Sequence, residues 1–277
     1  MTIAPFTRQS RPDRSVLRLD GDGVLAFLNN LLTAELLHLP EGHGAYGALL
    51  SPQGKILHDV FVIHEDGVVY MDCAAVQAAA LMQKLMLYRL RAKIEIQQPE
   101  NLAVAISPAA DLPGLCYADP RLPEMGYRAV IERATVDEGE GYDALRILRG
   151  LADSVADIGS GALFVHEANL DQLNGVHFSK GCYVGQEIVS RMHHRGTARS
   201  RILPVTFDGT ATAGSAVESG GTRLGEMLSS DQGRGLALLR LDKLTEVTAP
   251  VMTAGVRLHV QKPLWAKYEF VLPGIAQ

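Results

Sequence analysis

The chain has 277 residues, 47% of them apolar and 21% charged, with a formal net charge of −5. This composition can build a sizeable core, which excludes a disordered chain, and its acidic balance argues against a dedicated nucleic-acid binder, which needs clustered cations against phosphate. Cys73, Cys116 and Cys182 lie far apart and form no CxxC pair, so neither a disulfide framework nor a structural zinc site is indicated, and a reducing compartment fits.

Residues 1–15 are polar, include Arg8, Arg11 and Arg14, and hold no apolar core of signal-peptide length, so an irregular start is expected. No later run approaches the ~20 apolar residues that span a bilayer, and the expected location is the cytoplasm. Residues 15–19 alternate as a strand ending at the Asp20-Gly21-Asp22-Gly23 turn. From 24 to 39, Leu25, Leu28, Leu32, Leu36 and Leu39 recur at three- and four-residue intervals, the period of an amphipathic helix, which Pro40 and Gly42 stop. Strands at 44–50 and 56–64 flank a hairpin turn at 51–55. A strand at 67–72, a long helix at 74–90 and a strand at 91–96 come next. A second cycle places strands at 102–106 and 127–131 around a turn at 111–114, and 142–154 reads as a helix with Leu145, Leu148 and Leu151 on one face. Antiparallel hairpins with covering helices predict an α+β architecture, and no GxGxxG or GxxxxGK[ST] opens a helix. Short alternating runs at 203–207, 216–219, 222–229, 235–239 and 256–260, broken by Gly, Asp and Pro, predict a small antiparallel barrel. The expected division is an α+β region of two lobes, 1–197, and a barrel domain, 198–277.

Reactive groups concentrate at 180–201, where KGCYVGQE runs into a basic tail carrying Arg191, His193, His194, Arg195, Arg199 and Arg201. Cations brought near Cys182 would lower its pKa and raise its thiolate fraction. A cysteine flanked by glycine is also a common small buried turn residue, and the residues alone leave both readings open. Glu167 likewise reads either as a first-turn helix residue or as a ligand-binding carboxylate.

KGCYVGQE resembles the signature of the YgfZ-type folate-binding proteins, relatives of the glycine-cleavage T-protein implicated in maintaining iron–sulfur enzymes. GVLAFLNNLLTAEL, GALLSPQGKILHDVFV, LMQKLMLYRLRAKIEI, DPRLPEMGYR and TRLGEMLSS resemble further segments of that family, so the resemblance runs over nearly the whole chain. It implies T-protein-like folate-binding domains with antiparallel sheets and covering helices, a C-terminal small β-barrel, and tetrahydrofolate or a derivative in a central channel. The T-protein's pterin-gripping glutamate is matched by Glu167, with Val165 where the family has proline, and a folate-contacting arginine is matched by Arg195. Lys180, Tyr183, Gln186 and Glu187 complete the implied binding set, with Cys182 as the chemically active side chain and Arg191 or Arg199 for the glutamyl carboxylates. The T-protein's aspartate beside the reactive nitrogens is matched by Ala78 or Ala79, with Asp72 at the other end of that loop, which speaks against aminomethyl transfer by the same mechanism.

The resemblance therefore implies a monomeric, tetrahydrofolate-binding accessory protein for iron–sulfur cluster assembly or repair. It would act through Cys182 on iron–sulfur client or assembly proteins. One thiol does not hold a cluster, so any cluster would be shared with a partner or completed by His177, His193 or His194. The alternative enzyme reading is a folate-dependent aminomethyltransferase-like one-carbon transferase, and a third reading is an interaction protein with a vestigial channel.

Overall fold

The computed structural model describes residues 6–133, 138–196 and 198–270. Residues 1–5 of the expected irregular start lie outside the described residues, but the rest of that segment enters the sheets. β1 (Gln9–Ser10) pairs with a later strand, and Arg11 then leads into β2 (Arg14–Gly21). After β2 come α1 (Val24–Asn29), β3 (Gly44–Leu50), β4 (Ile56–Glu65), β5 (Val68–Ala74), α2 (Ala78–Arg89) and β6 (Ile94–Gln97). The second lobe holds β7 (Leu102–Ser107), β8 (Leu115–Ala118), β9 (Tyr127–Glu132) and α3 (Tyr142–Arg149). After irregular turns comes α4 (Gln186–Arg195), and the last unit holds β10 (Ser200–Phe207), β11 (Ala216–Ser219), β12 (Thr222–Asp231), β13 (Arg234–Arg240), α5 (Leu241–Leu244), β14 (Val251–Thr253) and β15 (Val256–Val260).

The strands form two antiparallel sheets, β3-β4-β5-β2-β6 and β1-β7-β9-β8, and a closed six-strand barrel, β10-β13-β12-β11-β14-β15, sealed by β10 against β15. The period of two sorts the five-stranded sheet. Leu17, Leu19, Val60 and Val62 meet Leu28 of α1 and Leu81 and Leu85 of α2 on one face. Val16, Phe61 and Ile63 meet Val104, Tyr117 and Val130 of the second sheet on the other. Ile202 and Leu236 from the barrel join that second cluster, so the three units share a core, while Leu203, Val205, Leu224, Met227, Leu239 and Leu258 fill the barrel itself.

The leucine pattern at 24–39 yields a helix only as far as Asn29. Beyond it the chain lies along β3, where Leu32 bridges Leu49, Thr33 N donates to Ala48 O, and Asn29 Oδ1 accepts from Leu36 N. Leu32 and Leu36 are still fully buried, because tertiary contacts replace helical ones at the same spacing. The strand expected from 91 starts at Ile94, since Leu90 turns the chain with φ 50°. β8, β14 and α4 have no counterpart among the elements expected from the sequence. Glu167 lies not in a helix but in a run of turns, which Asn169, at φ 60°, keeps from winding further.

Candidate functional site

A cluster of buried charge sits where the two lobes and the barrel meet. Arg14 Nε binds Asp72 Oδ1 at 2.6 Å, and Arg128 binds the other oxygen of Asp72 through both Nε and Nη2. Arg121 forks onto Asp119 at 3.0 and 2.8 Å and also donates to Tyr142 Oη. Burial alone would raise the Asp119 carboxyl, but Arg121 and Arg128 hold it below its ordinary value. Arg146 pairs with Asp157 at 2.8 Å, and the other oxygen of Asp157 accepts from Ser229 N and Oγ of β12, tying α3 to the barrel. The faces of Arg121 and Arg128 lie 4.7 and 3.8 Å from the Phe61 ring centroid.

These groups wall a recess with about 20 Å³ of free space, lined by Arg11, Arg14, Asp59, Phe61, Arg121, Arg128, Tyr142, Arg146 and Ser154 among others. Arg11, Arg14, Arg146, Asp153 and Ser154 also line a cleft of about 670 Å³, so the two spaces share a wall. The cleft is large enough for a drug-sized or cofactor-sized molecule. Arg11 is nearly buried and bidentate to Asp13, and its Nη1 has no hydrogen bond, with Asp143 Oδ2 3.6 Å away. The N-terminal arginines, expected in an irregular start, instead help build this cavity through Arg11 and Arg14. Their only signal in the sequence is a pair of arginines at the mouth of a strand, which burial alone turns into a site.

The KGCYVGQE loop lies elsewhere in the fold. Lys180 Nζ donates to the carbonyls of Asn29, Leu32 and Ala34, which the early end of α1 leaves open, and burial pushes its pKa down to about 8. It thereby serves as a structural plug, with its three donors committed. Tyr183 is buried in the shared core, which raises its hydroxyl to about 12, and Val184 packs against the α1–α2 side. Gly185 sits at φ 80° against the turn before β4, where an added Cβ would come within 2.6 Å of Ser51 O and 3.1 Å of Gly54 Cα. Gln186 and Glu187 open α4, with Glu187 exposed in its first turn, where the helix dipole favours an anion. Cys182 is exposed, and no described residue hydrogen-bonds its sulfur.

Glu167 does not line the charged recess or its cleft: its Oε2 accepts from Phe164 N at 2.9 Å and stands 3.7 Å from Lys55 Nζ. Its carboxylate closes its own turn, and neither Glu167 nor Cys182 lines this recess or its cleft. Arg195 ends α4, exposed, as are Arg191 and Arg199. Arg201 is buried and bidentate to Asp171, and so serves the junction with the barrel rather than the thiol. His193 stacks on Phe178 at 3.7 Å, and beneath them His166 is 2% exposed with neither ring nitrogen hydrogen-bonded. Ala78 is buried and Ala79 exposed at the start of α2, and Asp72 is held in β5 by its two arginines.

Among solved structures, the aminomethyltransferase T of the glycine cleavage system from Bartonella henselae superposes with a TM-score of 0.77 over 97% of this chain and 88% of that one, at 15% identity, a likeness of fold. Residues 199–268 match the C-terminal beta-barrel domain of CAF17. The human mitochondrial iron–sulfur cluster assembly factor IBA57 is 32% identical over 278 residues, spanning 83% of this chain and 76% of that protein. The chain belongs to the IBA57 family of iron–sulfur cluster assembly factors. The mouse member is 28% identical over the same shares, and the homologue from Pyricularia oryzae 29% over 86% and 72%. These IBA57 proteins are named as mitochondrial, which overturns the expectation of a cytoplasmic protein. Composition and the lack of a long apolar helix do not separate one reducing aqueous compartment from another, so that expectation had no physical footing.

Proposed function

We propose that this member of the IBA57 family is a tetrahydrofolate-binding factor for iron–sulfur cluster assembly or repair, with Cys182 as its reactive group on a surface that meets client or assembly proteins. The observation that carries the reading is the division of labour inside KGCYVGQE. Lys180, Tyr183, Val184 and Gly185 anchor the loop, and Cys182 is left exposed with its sulfur hydrogen-bonded by no described residue. A thiolate is a soft ligand for iron, and a single exposed one completes a coordination set only with a partner's donors. A monomer with an open Cys182 face suits such transient sharing.

The cleft supports the folate half of the reading. Its volume admits a pterin with its tail, and Arg11, Arg14 and Arg146 offer guanidinium donors on its wall beside the carboxylates of Asp13, Asp143 and Asp153. Tetrahydrofolate there would bring a one-carbon carrier into the protein, beside Arg11, Arg14 and Arg146 of the cleft wall. Alanine at 78 and 79 supplies no acid or base for aminomethyl transfer.

The test is Cys182→Ser in cells depleted of the endogenous factor, alongside titration calorimetry with tetrahydrofolate. The variant is expected to fold and bind folate like the parent while failing to restore iron–sulfur enzyme activity. Full restoration would remove Cys182 from the mechanism, and no folate binding at millimolar concentration would remove the cofactor.

A further inference from the structure

α2 is apolar on both sides, and only one side is buried. Ala78, Leu81 and Leu85 pack on the five-stranded sheet, while Met86, Leu87 and Leu90, with Val76 from the turn before the helix, project outward. Leu87, Leu90 and Val76 are 68, 85 and 81% exposed, with Gln83 the polar side chain between them. At 1.5 Å per residue the stripe from 76 to 90 is about 20 Å long. A helix that is apolar all round is ordinarily covered all round, so this stripe is a surface without its cover. Leu90 adds a second sign. Its backbone sits at φ 50° and ψ −107°, strained for a leucine and easy for glycine, yet its side chain faces solvent.

The charge around the stripe has one sign. Lys84 lies beside it and Arg91 and Lys93 follow its end, all three exposed and none in an ion pair with a described residue. No Asp or Glu stands between Asp72 and Glu95. Asp72 is buried under Arg14 and Arg128, and Glu95 alternates with Ile94 and Ile96, which pack on the α2 side, so its carboxylate lies on the other face of the sheet. We propose that the outer face of α2 docks on the surface of an anionic phospholipid bilayer, with Leu87 and Leu90 entering the acyl boundary and Lys84, Arg91 and Lys93 meeting the headgroups. The cover must be apolar where the leucines enter and negative at the rim, which is the profile of such a surface. Twelve helical residues are too few to span a bilayer, so the helix lies in its interface, and the sheet behind it takes the place of a polar face. A convex stripe flanked by lysines suits a lipid surface better than a protein, since lysine is depleted where proteins meet. The chain as a whole is acidic, so attraction to an anionic surface has to come from this patch. The assignment is independent of the folate reading.

The test is co-sedimentation of the full-length protein with phosphatidylglycerol vesicles and with phosphatidylcholine vesicles, repeated at raised salt and on two double variants, Leu87→Gln with Leu90→Gln and Lys84→Gln with Arg91→Gln. The parent protein is expected to bind the anionic vesicles at least about 10-fold more tightly than the neutral ones, with the preference shrinking as salt rises. The leucine variant is expected to lose about 10-fold or more of that binding, and the cation variant about 10- to 30-fold on the anionic vesicles alone, both with parental urea midpoints. Equal binding to the two kinds of vesicle, or undiminished binding by a folded leucine variant, overturns the assignment. If the leucine variant does not fold, the vesicle pair and the cation variant still decide. A concentration-dependent dimer that the leucine variant abolishes, seen by sedimentation velocity without lipid, gives the stripe to a second copy of the chain and overturns the lipid assignment. A monomer that ignores both vesicles gives the stripe to a partner protein and overturns it as well.

Discussion

His166 shows what a single side chain can do to stability here. Both ring nitrogens are buried without partners, a cost of about 1–3 kcal/mol for each unsatisfied group. Burial lowers its pKa to about 4, with Arg201 and His193 adding to the shift and Asp171 opposing it. The unfolded chain, with an ordinary histidine near 6.5, therefore takes up the proton first as pH falls. Stability attributable to this residue is present above pH 6.5 and is lost progressively toward pH 4, by up to about 3 kcal/mol. His166→Leu nearly keeps the volume and removes both the orphan nitrogens and the titration. Urea unfolding at pH 7 and pH 5 is expected to show the variant at least as stable as the parent at pH 7, with a smaller loss on acidification. A variant that is weaker at both values with the same slope would show that the imidazole has a partner in solution.

At the scale of elements, the loop before α4 is seated by two facing glycines. Gly185 needs its positive φ, and a Cβ there would strike Ser51 O, while a Cβ on Gly54 would strike Ile188 of α4. Gly185→Ala combines left-handed strain of about 1 kcal/mol with a backbone collision, so a loss of about 2 kcal/mol or more is expected in thermal unfolding. Hydrogen exchange should rise in 180–190 before it rises in the five-stranded sheet. Cys182→Ser, by contrast, is expected to leave stability unchanged to within about 0.5 kcal/mol, since its side chain is exposed. Equal losses for the two variants would mean the sulfur is structural after all. Lys180 closes the carbonyls that α1 abandons when the chain turns onto β3.

For the molecule as a whole, the joint between lobes and barrel depends on polar groups set in an apolar rim. Asp157 gathers Arg146, Asp153 N, Ser229 N and Ser229 Oγ, and Arg201 with Asn169 and Asp171 makes a second joint. Removing one partner of such a buried network strands the others, at about 3–5 kcal/mol. Asp157→Ala is expected to lower the calorimetric midpoint and to split one transition into two as the barrel melts apart from the lobes. A single transition at the parental midpoint would show that the apolar contacts of Ile202 and Leu236 hold the joint unaided.

Most of the strands, the barrel and the place of the eight-residue signature were legible in the chain itself, because periods of two, turn residues and a short motif are local properties that survive folding. The helix expected at 24–39 stopped early for a nonlocal reason: Leu32 and Thr33 pair with Leu49 and Ala48 of β3, and the Asn29 side chain takes Leu36 N. α4 was hidden because a basic, weakly apolar segment helixes only once Gly185 has docked and Val189 is buried. The charged cavity could not be read at all, since Arg11, Asp59, Asp72, Arg121, Arg128 and Asp157 are scattered over the sequence. Which arginine meets which carboxylate depends on distances that only the assembled lobes set.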